Sequence, residues 1–158
     1  AKVADGTIYL YFENKDDILI SLFREKMGQF IADLQQELTA LPRAQDKILK
    51  IVGSHLAYLG ADRYLAEVTQ VQLRQSNPVI RQGISEPLIL YFKLIEEAIT
   101  LGQTQGAFTA DIDVKTARKL VFDTLDEVVT SWVMAGAKKS LDSYGDMIYR
   151  LFMNGLSK

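Results

Sequence analysis

Apolar residues recur at three- and four-residue steps along most of the chain, the spacing that gathers them on one face of an α-helix. Ile18, Leu19, Leu22, Phe23, Met27, Phe30, Ile31, Leu34 and Leu38 form the first stripe and predict a long helix from about Lys15 to Ala40. Asn14 is placed to cap it, Asp16 and Asp17 fall in the first turn where the helix dipole favours negative charge, and Pro42 closes the segment. Ile48, Leu49, Ile51, Val52, Leu56 and Leu59 predict a second helix ending at Gly60. A third runs from about Asp62 to Gln75, with Leu65, Val68, Val71 and Leu73 inward. Asn77-Pro78 starts a fourth, because proline in the first turn forfeits no hydrogen bond. That helix reaches about Thr104 if Pro87 only kinks it; a break at Pro87 is the alternative, since proline lacks an amide proton and crowds the preceding turn. Gly106-Ala107-Phe108 reads as a loop. Asp113 can cap a fifth helix with a dense stripe of Val114, Ala117, Leu120, Val121, Leu125, Val128, Val129 and Trp132, ended by Gly136. The last helix, about Leu141 to Leu156, carries Tyr144, Met147, Ile148, Leu151 and Phe152. No segment sustains two-residue alternation, so the expected fold class is all-α.

Composition narrows the function more than the fold. At 158 residues, 48% of them apolar, the chain suits one domain, or one core with a small appendage. Cysteine is absent and His55 is the only histidine, which removes disulfides, thiolate chemistry and any histidine or cysteine metal cluster. No apolar run approaches the ~20 residues of a membrane span, and no signal-peptide pattern opens the chain, so a cytoplasmic protein without membrane contact is expected. No nucleophile–base pair or phosphate-cradling glycine loop is present, and the adjacent Asp126 and Glu127 point about a hundred degrees apart on a helix. The chain is therefore expected not to be an enzyme and to carry no cofactor. The net charge of −2 does not advertise nucleic-acid binding, although a basic patch can sit at one tip of an acidic protein. The chain opens without Met and already inside an ordered motif, so it is expected to lack its first helices.

That motif is Val3-Ala4-Asp5-Gly6-Thr7-Ile8-Tyr9-Leu10-Tyr11-Phe12, followed by Asn14-Lys15-Asp16-Asp17-Ile18-Leu19. A short helix over about Asp5 to Phe12, a tight link and a long helix opening on lysine suit a DNA reader. Thr7, Tyr9 and Tyr11 share one side of the short helix and offer hydroxyls to phosphates and base edges. Ile8 and Phe12, four apart, anchor the other side. Lys15 meets a phosphate together with free amides at the next helix start. The alternative is that these aromatics merely pack a small core.

Gly6-Thr7-Ile8-Tyr9-x-Tyr11-Phe12-x-Asn14-Lys15 resembles the second half of the helix-turn-helix of the TetR family of transcriptional repressors. The resemblance implies a TetR-like all-α protein that binds a palindromic operator as a homodimer and is released by a small apolar ligand. It makes Thr7, Tyr9 and Tyr11 recognition-helix contacts and Lys15 a phosphate clamp. Residues 1–30 would hold the end of the DNA-binding domain and the start of the connecting helix, and 31–158 the ligand-binding and dimerisation domain. Gly106-x-Phe108-x-x-Asp111-Ile112-Asp113 resembles the loop before the family's penultimate, dimer-forming helix. Further stretches, Asp16-Asp17-Ile18-Leu19-Ile20-Ser21-Leu22-Phe23 and Gln72-Leu73-Arg74-Gln75-Ser76 among them, are similar to the FadR-type repressors of fatty-acid degradation, which implies long-chain acyl-CoA as the ligand.

Ligand contacts are then expected at several residues. Arg74 either faces the ligand's phosphates or satisfies a surface acid or helix-end carbonyls. Arg81 is a second cation for a headgroup, or solvated surface. Tyr58, Tyr91, Phe92, Phe122 and Trp132 either line an acyl tunnel or are plain core. His55 is expected to be hydrogen-bonded or at the surface rather than a ligand contact. Two alternatives stand beside the acyl-CoA reading: a TetR-type regulator with another apolar or cationic inducer, and a helical interaction domain without any DNA role.

Overall fold

The computed structural model describes residues 14–74 and 77–157, and these residues form six α-helices and one 3₁₀ turn. Helix α1 spans Lys15–Thr39, α2 Ala44–Gly60, α3 Arg63–Leu73, α4 Pro78–Thr104, α5 Val114–Met134 and α6 Gly145–Leu156. Four of the six starts carry a side-chain cap. The Asn14 side chain accepts from the Asp17 amide (3.0 Å) and the Asp113 carboxylate from the Thr116 amide (2.9 Å). Asp62 takes two amides at the start of α3, and Asn77 accepts from Val79 (2.9 Å) at the start of α4. Such a cap contributes about 1 kcal/mol. Helix α2 has no side-chain cap of its own; Gln105 accepts from the Ala44 amide (3.1 Å) and donates to the Pro42 carbonyl, so the end of α4 holds the start of α2.

Helix α4 is the central post, packed against α1, α2, α3 and α5. It runs through Pro87 without a break, and Pro87 itself is buried. Proline has no N–H for the carbonyl four residues earlier. That carbonyl, on Gly83, instead accepts a hydrogen bond from the Arg24 side chain of α1 at 2.6 Å. Gly83 also admits Ile20, whose side chain lies 2.6–2.8 Å from where a Cβ would stand. Arg24 reaches Glu86 as well (3.5 Å), and Asn77 donates to Asp16 (3.0 Å). The first three turns of α1 are thereby fastened to the first half of α4.

The inward face of α1 carries Phe23, Met27, Phe30, Ile31, Leu34 and Leu38, all buried. Earlier positions of the same stripe are at the rim, with Ile18 and Leu19 half-buried and Leu22 exposed. Leu49 and Leu120, read from the spacing as inward, face solvent instead (43% and 60% exposed), because each helix turns a narrower face to the core than the stripe suggests. Met134, Met147 and Leu151 of α5 and α6 are exposed too. The last helix begins later than its apolar pattern: Leu141–Tyr144 form a 3₁₀ turn that brings Leu141 against Gly60. Gly106-Ala107-Phe108 is a loop, yet Phe108 is a core residue. Its ring packs on Gly102, and Thr109 donates to the Leu156 carbonyl (2.7 Å), tying the loop to the end of α6.

Two glycines predict opposite outcomes. A Cβ on Gly102 would stand 2.0 Å from the Phe108 ring, so Gly102→Ala is expected to destabilise the protein by about 1–3 kcal/mol. Nothing lies within 4 Å of a Cβ on exposed helical Gly53, so Gly53→Ala is expected to stabilise by about 0.5–1 kcal/mol. Urea denaturation at one fixed protein concentration checks both signs.

Candidate ligand site

Between α1, α2, α3, α4 and α5 lies an interior cavity. Phe23, Met27 and Phe30 of α1 wall one side, His55, Tyr58 and Leu59 of α2 and Thr69 and Gln70 of α3 another, and Leu88, Tyr91 and Phe122 complete it. Its free space is about 10 Å³, no more than one water requires. The aromatic rings close it by stacking on one another: Phe30 on Tyr58 at 4.7 Å, and Tyr91 edge-on to both Phe30 (5.6 Å) and Phe122 (6.1 Å). A drug-sized apolar ligand occupies ~300 Å³ or more, so anything larger than a water must push these walls apart.

The cavity is not wholly apolar. His55 is buried, and its Nδ1 lies 2.9 Å from the Tyr91 hydroxyl. Burial lowers the His55 pKa to about 4 and drives the Tyr91 hydroxyl upward, so both are neutral. The other ring nitrogen, Nε2, has no hydrogen-bond partner, whereas the amide nitrogen of buried Gln70 is turned towards the Asp126 carboxylate without closing to a full hydrogen bond. Tyr58 is anchored at the wall by donating to the Lys26 carbonyl of α1 (2.8 Å), and burial raises its pKa.

A polar chain leads from Gln70 to the surface. The Thr130 hydroxyl of α5 bonds the Gln70 side-chain oxygen, and Arg74 donates to that hydroxyl (3.0 Å). Arg74 also reaches Asp126 (3.4 Å) and Glu127 (3.2 Å). Burial raises the Asp126 pKa, while the Arg74 charge and the Gln70 amide act against the rise. In this conformation Arg74 therefore satisfies acids of a neighbouring helix, one of the two roles its position allowed.

The expected ligand residues do not all converge. Tyr58, Tyr91 and Phe122 share the cavity wall, and Arg74 stands at its polar edge. Phe92 lies behind Phe122 (4.8 Å, edge-on) and beneath the Arg118 guanidinium (4.4 Å), outside the cavity. Arg81 is exposed in the first turn of α4. Trp132 lines a separate open groove of about 490 Å³ with Val128, Lys138, Lys139 and Tyr144, its indole N–H donating to the Lys139 carbonyl (2.6 Å). His55, Thr69 and Gln70 are the polar wall residues that the apolar pattern passed over. Their signal was a polar residue in an otherwise inward stripe. Of the expected DNA contacts, Lys15 is exposed at the first turn of α1, whereas Thr7, Tyr9 and Tyr11 lie outside the described residues. Among the described residues no group of acids and histidine is placed to hold a metal, and no helix is long and apolar enough to cross a membrane.

Residues 23–155 match the family model described as YsiA-like protein, C-terminal region, one of the TetR C-terminal families. The chain is 44% identical over 156 residues to the fatty acid metabolism regulator protein of Bacillus subtilis, covering 99% of this chain and 80% of that one. The crystal structure of FadR from Bacillus subtilis in complex with stearoyl-CoA superposes with a TM-score of 0.90 at 44% identity, covering 98% of this chain and 83% of the other. FadR from Bacillus halodurans, a fatty acid degradation regulator, gives 0.91 at 44% identity, with 98% and 80% covered.

The buried histidine predicts a pH dependence. A histidine that folds neutral with a pKa near 4 leaves the unfolded chain, titrating near 6.5, to take up the proton first. Its stability contribution is thus intact above about pH 6.5 and lost as the pH falls towards 4. Between pH 7 and 5 the wild type is expected to lose about 2 kcal/mol more than His55→Gln, read by urea denaturation at each pH.

Proposed function

The chain belongs to the TetR family, and from that premise we propose that it is a repressor of fatty-acid degradation genes, released from its operator by long-chain acyl-CoA. The carrying observation is that Phe23, Met27 and Phe30 of α1, the helix leading out of the N-terminal motif, form one wall of the closed cavity. A long acyl chain entering there has to displace α1. The relatives support the ligand class: the Bacillus subtilis FadR structure is a complex with stearoyl-CoA, and the other Bacillus subtilis relative is a fatty acid metabolism regulator.

Residues 1–30 carry the end of the reading head and residues 31–158 the regulatory domain. Thr7, Tyr9 and Tyr11 contact operator bases and phosphates, and Lys15 a phosphate beside the amides of the α1 start. The acyl chain lies among Tyr58, Tyr91 and Phe122, and the headgroup phosphates compete with Asp126 and Glu127 for Arg74. Two copies pair through α5 and α6, where Leu120, Met134, Met147 and Leu151 stand exposed, so that the two heads meet half-sites of a palindrome ~34–36 Å apart. The ligand acts only by binding the DNA-incompetent conformation more tightly.

The clamp between α1 and α4 makes the coupling testable. For the full-length protein on an operator selected from random-sequence DNA, saturating palmitoyl-CoA is expected to weaken binding at least tenfold, about 1.4 kcal/mol of coupling. Arg24→Leu removes the bond to Gly83 and is expected to retain palmitoyl-CoA binding while cutting that ratio several-fold. Fluorescence anisotropy with labelled operator checks both. Unchanged operator affinity of the wild type at saturating ligand would defeat the proposal.

A further inference from the structure

Within the cavity two polar side chains, each more than nine-tenths buried, carry a nitrogen with no closed hydrogen bond, and of the two only His55 Nε2 has no acceptor turned towards it. A buried donor left unpaired is destabilising, so a cavity that carries one is poised for a complementary group. What that group is follows from the protonation pattern. The Tyr91 hydroxyl has His55 Nδ1 as its side-chain partner. If the hydroxyl donates to Nδ1, the imidazole carries its proton on Nε2 and one donor is left unmet. If Nδ1 donates instead, the hydroxyl proton and a bare Nε2 are both left unmet. The first arrangement leaves fewer buried groups unsatisfied, so Nε2 presents an N–H to the cavity. The Gln70 oxygen is occupied by the Thr130 hydroxyl, which leaves the amide N–H groups of Gln70 outward. The Gln70 amide is turned towards the Asp126 carboxylate and acts on it, so it assists only by reorienting, whereas His55 Nε2 is without a partner. Both available groups are donors. A cavity that offers donors selects an acceptor, and it disfavours a cationic guest.

We propose that His55 Nε2, assisted by Gln70, is the hydrogen-bond donor for a carbonyl oxygen of the acyl ligand, so that the site selects an acyl thioester over an alkyl chain of the same length. This rests on the acyl-CoA reading above and goes beyond it by naming the group that recognises the carbonyl. The position fits. Gln70 stands between the apolar wall and the Arg74 chain to the surface, where a ligand with its headgroup at Arg74 and its alkyl tail among Phe23, Phe30 and Phe122 turns from polar to apolar.

Two probes separate the proposal from a structural role: palmitoyl-CoA and S-hexadecyl-CoA, the thioether that lacks the carbonyl. By titration calorimetry the wild-type protein is expected to bind palmitoyl-CoA about tenfold more tightly, which requires no variant. His55→Asn keeps an acceptor for Tyr91 but withdraws the donor, and is expected to lose that tenfold for palmitoyl-CoA while binding S-hexadecyl-CoA as the wild type does. His55→Gln, which returns an amide nitrogen near the Nε2 position, is expected to restore most of the preference. Equal wild-type affinity for the two probes, or a loss in His55→Asn that is the same for both, would overturn the carbonyl assignment and leave the acyl-CoA reading intact. A wild-type protein that binds neither probe would defeat the acyl-CoA reading and this proposal together.

Discussion

A proline cannot donate to the carbonyl one turn before it, and in this chain the carbonyl that Pro87 leaves open belongs to Gly83. Arg24 takes it. The consequence reaches well past one hydrogen bond. Because residue 83 has no side chain, Ile20 comes up against the same turn, and α1 lies on α4 closely enough for Asn77 to bond Asp16 at the far end. Helix α4 in turn touches α2, α3 and α5, so α1 is joined through it to the rest of the helices. Neither Arg24 nor Glu86 is buried, and their ion pair alone would contribute little. The charged donor on an otherwise unfilled backbone acceptor is the stronger part.

The cavity sits directly behind that contact. Its closure follows from aromatic rings filling one another's space, and a donor is left unpaired among them. These two features work in one direction. In the proposed mechanism, filling the cavity pairs the unpaired donor and separates the walls, one of which α1 supplies. A two-state element biased by a ligand needs this combination: a compact state with something to gain on opening, and a rigid connection to a distant surface.

The helices were legible because apolar stripes, capping residues and Pro78 agreed with one another at each boundary. Asn14, Asn77 and Asp113 cap where their positions indicated. Pro87 left two courses open, and only the tertiary packing around α4 decides for an unbroken helix. The clamp itself was not legible, since it joins a side chain to a backbone carbonyl fifty-nine residues away, and no pattern of residue types marks a carbonyl as vacant. Phe108 was hidden by the glycine beside it, which signals a loop correctly but says nothing about where the loop's side chain goes. Phe92 and Trp132 show the limit from the other side. Trp132 lies on an inward stripe yet lines another groove, and Phe92 packs on the far side of Phe122, which depends on crossing geometry rather than on spacing. The N-terminal motif was read as a DNA reader through its resemblance to one family, and that family is the one to which the chain belongs.

If filling the cavity moves α1, the separation of the two α1 starts in the proposed dimer reports it most directly. The chain has no cysteine, so Lys15→Cys carries one spin label per protomer without further substitution. The label-to-label distance would be measured by pulsed electron resonance with and without saturating palmitoyl-CoA. The account predicts a shift of several ångströms in the mean distance, enough to spoil the match to half-sites ~34–36 Å apart. The same distance distribution in both samples, with ligand occupancy established by calorimetry, would contradict it.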